Sequence, residues 1–166
     1  MSTYQIRPVH EDDKVWISQL IREHWGSEIV VVHQAVYTPA ELPGFIMIQG
    51  DQRVGLVTYQ IHGNECEIVS LNSLIPSVGI GTSLLEAVLT KAREGGCQRV
   101  WLITTNDNLQ ALGFYQKRGF RLVAIYRNAV DESRKIKPEI PILGENGIPI
   151  RDEIELEMIL AESDGR

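Results

Sequence analysis

Cysteine is scarce in this sequence, and the two cysteines present, Cys66 and Cys97, lie far apart in the chain. Two scattered thiols cannot build a disulfide framework or a cysteine-rich metal site, so we expect reduced thiols, with a single disulfide as the alternative. No apolar run is long enough to cross a bilayer, and the N-terminal residues lack the apolar segment of a signal peptide. These absences predict a cytoplasmic protein that does not bind membranes.

Positive charge is also in the minority, with 16 lysines and arginines against 22 aspartates and glutamates and a net charge of −6. This balance argues against nucleic acid as the main partner, because a polyanion requires a basic surface. The sequence has no nucleophile elbow of a hydrolase. We expect no metal site, since the four histidines are dispersed without ligand spacing: His10, His24, His33 and His62.

The sequence does contain alternating strand and helix patterns in a chain of 166 residues, 43% of them hydrophobic. This length fits one domain, predicted to span residues 1–166. Hydrophobic periodicity predicts three helices, over residues 11–24, from a glycine turn to Gly95, and over 108–118. It predicts seven strands, over residues 3–7, 45–48, 54–61, 65–75, 99–105, 120–126 and 154–160. We therefore predict an α+β fold, with a mixed, mostly antiparallel central sheet of about seven strands flanked by helices.

Two segments receive no assignment from these patterns. Residues 26–44 fit a loop, a short helix or both. Residues 127–153 contain three prolines and two glycines. Because a connection of this length inside a compact domain is usually functional or mobile, we keep this segment as a candidate part of a binding site.

Residues 74–96 form the most informative stretch, in which a strand pattern ends in a glycine turn that opens a helix. Gly79 and Gly81 leave backbone N–H groups uncovered at the positive end of the helix dipole, which suits a phosphate. A tight turn without a ligand is the alternative. A dinucleotide fingerprint is incomplete because Leu84 stands at its third glycine, and no Walker A lysine follows. The helix has one apolar face, formed by Leu84, Leu85, Val88, Leu89 and Ala92.

The helix over residues 108–118 carries two polar residues with a small residue between them, at spacings of three and four. These residues, Asn108, Ala111 and Tyr115, therefore share one face, and about 10 Å along the axis separates Asn108 from Tyr115. The small residue between them leaves room for an extended ligand. Asn108 or Asp107 is also the predicted N-cap of this helix, and capping without ligand contact is the alternative interpretation of Asn108.

These residues resemble the GNAT superfamily of acyl-CoA-dependent N-acetyltransferases, over roughly residues 3–127 and the last strand. The most specific part is Asn108-x-x-Ala111-x-x-Phe114-Tyr115-x-Lys117-x-Gly119-Phe120, together with the preceding glycine turn. The sequence departs from the usual Gln/Arg-x-x-Gly-x-Gly/Ala turn, because Pro76 holds the first position.

The resemblance implies acetyl-CoA as co-substrate and assigns roles to particular residues. The strand before the turn is expected to splay from its neighbour, and its residues Leu74 and Ile75 to pair with pantetheine. Asn108 is expected to contact the pantetheine arm, and Tyr115 to stand near the sulfur. Backbone amides are expected to bind the CoA diphosphate, at Val78, Gly79, Ile80, Gly81 and Thr82.

Acetyl transfer to an amine needs a base for the amine proton and an acid for the departing thiolate. Tyr115 suits the acid, because its hydroxyl keeps its proton at neutral pH. For the base, Glu65 and Glu67 lie two apart and so on one strand face, shared with Val69 and Leu71. Glu67 is the preferred candidate, since a Glu-Ile pair at this strand occurs in some members of the family. Glu65, a water chain and a merely solvated carboxylate are the alternatives.

The first hypothesis for function is an N-acetyltransferase that moves an acetyl or small acyl group from acyl-CoA to a primary amine by direct attack. A non-catalytic acyl-CoA sensor is the alternative. Residues 25–40 and 128–152 would form the acceptor side, where Arg134, Lys135 and Lys137 could attract an acidic acceptor or the CoA 3′-phosphate. A solvated basic run is the other interpretation. The predicted strand over 154–160, taken as an edge strand, is a candidate homodimer interface.

Overall fold

Seven strands form one central sheet in the computed structural model, which describes residues 3–160. With a separate two-stranded hairpin, the strands in chain order are β1 Tyr4–Pro8, β2 Val30–Val32, β3 Ala35–Tyr37, β4 Gly44–Gln49, β5 Gln52–His62, β6 Glu65–Ser73, β7 Arg99–Thr105, β8 Arg121–Tyr126 and β9 Glu153–Ile159. The order across the sheet is β1-β4-β5-β6-β7-β9-β8, and only the β6–β7 pair is parallel. The separate hairpin consists of β2 and β3.

Four α-helices cover the two faces of this sheet and the cavity beside it. They are α1 Lys14–Trp25, α2 Ile80–Glu94, α3 Leu109–Lys117 and α4 Ala129–Ile136. One apolar core lies between the sheet and α2 with α3, and a second lies between the sheet and α1. The predicted mixed sheet of seven strands flanked by helices is therefore confirmed.

Helix α2 lies directly on the sheet because β5 has a glycine beneath it. A Cβ atom on Gly55 would lie 2.6 Å from Cγ2 of Ile80, the first residue of α2. The predicted apolar face of α2 is buried as expected, together with Ile80. The close approach at Gly55 therefore positions the N-terminus of α2 at the end of β6.

The parallel pair in the middle of the sheet is short. β6 and β7 are paired only at Glu65 with Arg99, Cys66 with Val100 and Glu67 with Trp101. Beyond these pairs the two strands separate, and residues 68–73 of β6 and 102–105 of β7 flank an opening that we call the strand gap. The expected splay before the glycine turn is confirmed.

A β-bulge in β6 changes which side chains share a face. Thr58 of β5 pairs with Ser70 and Tyr59 with Ile68, so Val69 is the extra residue. Val69 packs in the core under α1, whereas Leu71 packs against the core under α2. The prediction that Leu71 shares the face of Glu67 is therefore wrong, because strict alternation ends at the bulge.

The last strand does not lie at the edge of the sheet. β9 pairs with β7 on one side and with β8 on the other, so the edge position predicted for residues 154–160 is wrong. The edges are β1 and β8, and β8 exposes Leu122, Val123 and Ile125. Strand order depends on long-range pairing, which local patterns do not encode.

Both unassigned segments contain regular structure. Residues 26–44 hold the β2–β3 hairpin, whose turn places His33 and Gln34 at positive φ. Residues 127–153 hold α4. No helix in residues 3–160 is both long and apolar enough to cross a membrane. The domain predicted over residues 1–166 includes residues 1–2 and 161–166, which lie outside the described part.

One buried carboxylate joins β1, β5 and α1. Asp13 is fully buried, and its two oxygens accept from Arg7 Nη1 and Nη2 at 2.8 Å each. Arg53 Nε donates to Oδ1 at 2.9 Å, and the backbone N–H of His10 donates to Oδ2 at 2.6 Å. The paired guanidinium of Arg7 keeps the pKa of Asp13 well below its ordinary value. The protein therefore supplies every partner that this charge needs.

Candidate functional site

The N-terminus of α2 opens beside the end of β6 without a side-chain cap. Gly79 is the N-cap residue, with φ of 82°, and no side chain of the described residues accepts a hydrogen bond from the first turn. The N–H groups of Ile80, Gly81 and Thr82 therefore have no intrahelical partner. Val78 and Gly79 are exposed, whereas the Ile80 side chain is buried in the core. Only the backbone of Ile80 can meet a ligand here.

An arginine at the C-terminal end of α3, just after its last residue, reaches the first turn of α2. Arg118 Nε donates to Thr82 Oγ1 at 2.9 Å, and its guanidinium lies 3.7 Å from the centroid of the Phe114 ring. That ring packs against Gly81, where a Cβ atom would lie 3.2 Å from it. The arrangement adds a cation beside three free N–H groups. Sequence reasoning did not include Arg118, although it lies inside the recognised motif between Lys117 and Gly119.

The backbone of β6 presents different residues to the strand gap from those predicted. The N–H of Leu74 donates to the Val54 carbonyl at 2.9 Å, so it faces β5 and cannot serve a ligand in the gap. The Ile75 carbonyl accepts from the Ser73 hydroxyl at 3.1 Å. Because backbone groups alternate in direction along an antiparallel ladder, Leu71 and Ser73 turn theirs toward the gap. The prediction extends the strand to residue 75, whereas it ends at Ser73.

Asn108 is the N-cap of α3, as predicted. Its Oδ1 accepts from the N–H of Ala111 at 3.1 Å, and its Nδ2 donates to Thr104 Oγ1 at 3.1 Å. Asn108 also lines a cavity bordered by β2 and α4. Since an amide nitrogen carries two donor hydrogens, one of them remains free for a ligand.

Tyr115 lies in the core under α2 and α3 and is 5% exposed. Its ring packs edge-on against Phe114 and Phe120, with centroid distances of 5.1 and 5.2 Å. Within residues 3–160, no group forms a hydrogen bond with its hydroxyl. Burial raises its pKa above the ordinary value, so the hydroxyl keeps its proton at neutral pH. A proton donor without an internal acceptor is thus held rigidly by aromatic packing.

The two candidate bases differ sharply in their surroundings. Glu67 is 3% exposed and accepts a hydrogen bond from the Tyr37 hydroxyl. Burial raises the pKa of Glu67, and the Tyr37 hydrogen bond opposes that rise. The Glu65 side chain is 44% exposed and forms an ion pair with Arg99. The environment therefore favours Glu67 over Glu65 as a group that exchanges a proton, and a solvated Glu67 is excluded.

The β2–β3 hairpin is attached to the sheet on both sides of the strand gap. Tyr37 bonds to Glu67 on β6, and the N–H of His33 donates to Oε2 of Glu153 on β9 at 2.9 Å. The His33 ring also lies 4.4 Å from the ring of Tyr126. The hairpin therefore forms a wall over the face of the sheet that carries Glu67.

The cavity bordered by β2 and α4, which we call the α4 cavity, has a volume of about 590 Å³. Its wall includes Val69 and residues 103–105, which belong to the two strands of the gap. The remaining wall comes from the end of α1, β2, residues 107–110, α4 with Lys137, residues within 140–150, and Glu153 of β9. Both segments that were expected on the acceptor side, 25–40 and 128–152, therefore contribute to it. Tyr115 and Glu67 are not among the described residues that line it.

Of the three basic residues considered for the acceptor side, only Lys137 lines the α4 cavity. Arg134 forms an ion pair with Asp131, and Lys135 with Glu132. No group of three or more histidine, cysteine, aspartate or glutamate side chains in residues 3–160 is arranged to hold a metal ion. The site is therefore one of backbone donors, an amide, a phenol and carboxylates.

Comparison with known proteins agrees with this arrangement. Protein YxbD of Bacillus subtilis (strain 168), described as uncharacterized, is 48% identical over 152 residues, covering 91% of this chain and 96% of that protein. The solved IAA acetyltransferase from Bacillus cereus ATCC 14579 has a TM-score of 0.71 at 20% identity, covering 95% of this chain and 100% of that one. A GNAT family acetyltransferase from Elizabethkingia anophelis with acetyl-CoA bound has a TM-score of 0.68 at 21% identity, covering 95% of this chain and 98% of that one.

The two solved structures support the fold alone, whereas the match to a family model identifies the family. The model described as Acetyltransferase (GNAT) family matches residues 8–120, which include the strand gap, the glycine turn, α2 and α3. Because this match spans more than half of the chain, the protein belongs to the GNAT family of acetyltransferases.

Proposed function

We propose that this acetyltransferase moves an acetyl group from acetyl-CoA to a primary amine, by direct attack and without a covalent enzyme intermediate. One observation carries the proposal: the strand gap has the free amides of α2 at one end and opens into the α4 cavity. A thioester arm lying in the gap would reach the cavity while its phosphates met the helix N-terminus. The bound acetyl-CoA in the Elizabethkingia anophelis structure supports the choice of donor.

The contacts proposed for acetyl-CoA follow from the free groups. The backbone groups of Leu71 and Ser73 pair with pantetheine, in place of Leu74 and Ile75, and the free amide hydrogen of Asn108 donates to the same arm. The Arg118 guanidinium supplies the positive charge that Pro76 does not provide in the turn. The diphosphate accepts hydrogen bonds from the backbone amides of Val78, Gly79, Ile80, Gly81 and Thr82.

The proposed chemistry uses Glu67 and Tyr115. The neutral amine attacks the thioester carbonyl carbon, and its proton passes to the Glu67 carboxylate directly or through a water. When the tetrahedral intermediate collapses, the C–S bond breaks and the thiolate takes the Tyr115 proton. The Tyr115 hydroxyl then regains a proton from Glu67 through solvent. The raised pKa of each group suits its role, since Glu67 must accept a proton and Tyr115 must keep one until the thiolate forms.

Free-thiol release tests this proposal. The protein is incubated with acetyl-CoA and a panel of primary amines, and the products are identified by mass spectrometry. We expect CoA release in a 1:1 ratio with N-acetylated amine, and no acetyl group on the protein. Tight binding of acetyl-CoA without thiol release from any amine would contradict the proposal and favour a sensor.

A further inference from the structure

Two polar side chains of the α4 cavity are buried without the partners that burial normally requires. Ser133 lies in α4 and is 1% exposed, and Lys137 follows one turn later and is 3% exposed. Both line the cavity. The Ser133 hydroxyl has no hydrogen-bond partner within the described part of the chain. Because buried polar groups are almost always paired, an unpaired hydroxyl in a cavity wall indicates a ligand contact.

The Lys137 ammonium has only one partner. Its Nζ donates to the Ile29 carbonyl at 2.8 Å, and no carboxylate oxygen of residues 3–160 lies within ion-pair distance. Two of its three donor hydrogens therefore remain unused. Burial lowers its pKa, and the nearby charge of Glu139 opposes that shift only in part. An anion bound in the cavity would stabilise this charge.

The cavity wall carries negative charge elsewhere, on Glu153, Asp107 and the exposed Glu145, and the first two carboxylates have hydrogen-bond partners. Glu153 accepts from the His33 backbone, and Asp107 accepts from the Thr105 hydroxyl. Lys137 is the one lysine or arginine among the described residues that line the cavity. A single ammonium beside one hydroxyl matches the single charge of a carboxylate, whereas a phosphate would need more donors.

We propose that the amine acceptor is a small amino carboxylic acid, whose carboxylate binds Lys137 Nζ and the Ser133 hydroxyl. This inference rests on the proposed function and names its substrate class. We expect the acceptor's body to be apolar, because the same cavity wall carries large apolar side chains: Trp25, Val31, Ile140, Leu143 and Ile150. A cavity of about 590 Å³ suits a small molecule. With its carboxylate held at α4, the amine of such an acid would point toward the strand gap.

The test uses acceptors that differ only in the carboxylate. Leucine, methionine, phenylalanine and tryptophan are each compared with their primary amides and their decarboxylated amines. Binding to the CoA-saturated protein is measured by calorimetry, and turnover with acetyl-CoA by thiol release. We expect at least one acid to bind and react about 10- to 100-fold better than its amide, as for a hydrogen-bonded charge.

The matched variants are Lys137→Met and Lys135→Met. Lys135 lies in α4 two residues before Lys137, is exposed and pairs with Glu132. Lys137→Met should remove the preference for the acid by raising the acceptor KM, with kcat and the acetyl-CoA KM little changed, and Ser133→Ala should weaken it. Lys135→Met should match the unmodified protein. Lys137→Gln, which removes the charge but keeps a hydrogen-bond donor for the Ile29 carbonyl, provides a second measurement if Lys137→Met unfolds.

Each outcome bears on a different statement. If no acid binds or reacts better than its amide, or if Lys137→Met (or Lys137→Gln, should Lys137→Met unfold) leaves the preference intact, the inference is overturned. A raised acetyl-CoA KM in Lys137→Met would overturn it in favour of a CoA 3′-phosphate contact. Carboxylate-dependent binding without thiol release would support the inference and contradict the proposed function. Thiol release with neutral amines alone would do the reverse.

Discussion

Asp13 and Lys137 are buried charged side chains in two regions of the molecule, and they differ in the number of partners that the protein supplies. Asp13 receives four hydrogen bonds, from Arg7, Arg53 and the His10 backbone. Lys137 has one, to the Ile29 carbonyl. Both side chains are nearly inaccessible to solvent. A buried charge with a complete set of partners stabilises the fold, whereas one with an incomplete set is available to a ligand.

Groups at the strand gap resemble Lys137 in this respect, because they too have incomplete sets of hydrogen-bond partners. The free amides of α2 and the outward backbone of β6 lie at one opening and lack internal partners, and the Tyr115 hydroxyl in the core lacks one as well. Glu67 is intermediate, since it has one partner in Tyr37. We therefore expect changes at Asp13 to affect stability alone, and changes around the gap to affect binding or turnover.

The largest effect on stability is expected from Asp13→Asn. It leaves two guanidinium groups without their carboxylate, which should lower the free energy of unfolding by about 3 kcal/mol. Urea unfolding measures this loss. The exposed neighbour provides the control, because Asp12→Asn should change stability little. At temperatures where Asp13→Asn stays folded, its kcat and KM should equal those of the unmodified protein.

The pH dependence of that loss distinguishes the charge from the packing. Because the folded-state pKa of Asp13 is lowered, its contribution is fully present above about pH 4 and is lost as pH falls further. The difference in unfolding free energy between the two proteins should therefore shrink below pH 4. A constant difference down to pH 2 would contradict an electrostatic role for Asp13.

The next effect is expected from Tyr115→Phe, which removes a hydroxyl without an internal partner. Turnover should fall about 100-fold, as expected for a lost general acid. Acetyl-CoA affinity and unfolding free energy should change little, because no hydrogen bond within the protein is lost. Thiol-release kinetics and calorimetry measure the two quantities. Unchanged turnover across the full pH range would remove Tyr115 from the mechanism.

A smaller effect on turnover is expected from Glu67→Gln, about 10- to 100-fold, because a water can replace a base in part. The raised pKa of Glu67 predicts that kcat/KM falls as pH drops through it, since the protonated carboxyl accepts no proton. Glu67→Gln should lose this limb and keep only that of the amine. Glu65→Gln is the matched control, and an equal loss there would assign the role to the Glu65–Arg99 ion pair instead.

How much of this could be predicted from sequence depends on the range of the interactions. Local patterns predict the seven strands, the buried stripe of α2 and the Asn108 cap, because each is determined by neighbouring residues. The order of β8 and β9 depends on pairing between distant segments. The bulge at Val69 adds a residue without any sequence mark and shifts the faces beyond it.

The candidate site was less predictable than the fold. The motif indicates the glycine turn and the Asn108–Tyr115 helix, whereas Lys137 and Ser133 lie in a segment that sequence reasoning leaves unassigned. A basic run such as Arg134, Lys135 and Lys137 is ordinarily solvated. Only the packing of α4 against the start of β2 separates the buried Lys137 from its two paired neighbours.

The most direct test of the strand gap as the acetyl-CoA site is amide hydrogen exchange, followed by NMR with and without acetyl-CoA. We predict slower exchange at Leu71, Ser73, Ile80, Gly81 and Thr82 when acetyl-CoA is bound. Acetyl-pantetheine, which lacks the nucleotide and its diphosphate, should protect Leu71 and Ser73 but not the three amides of α2. Saturating acetyl-CoA that leaves all five amides unprotected would contradict binding in the gap.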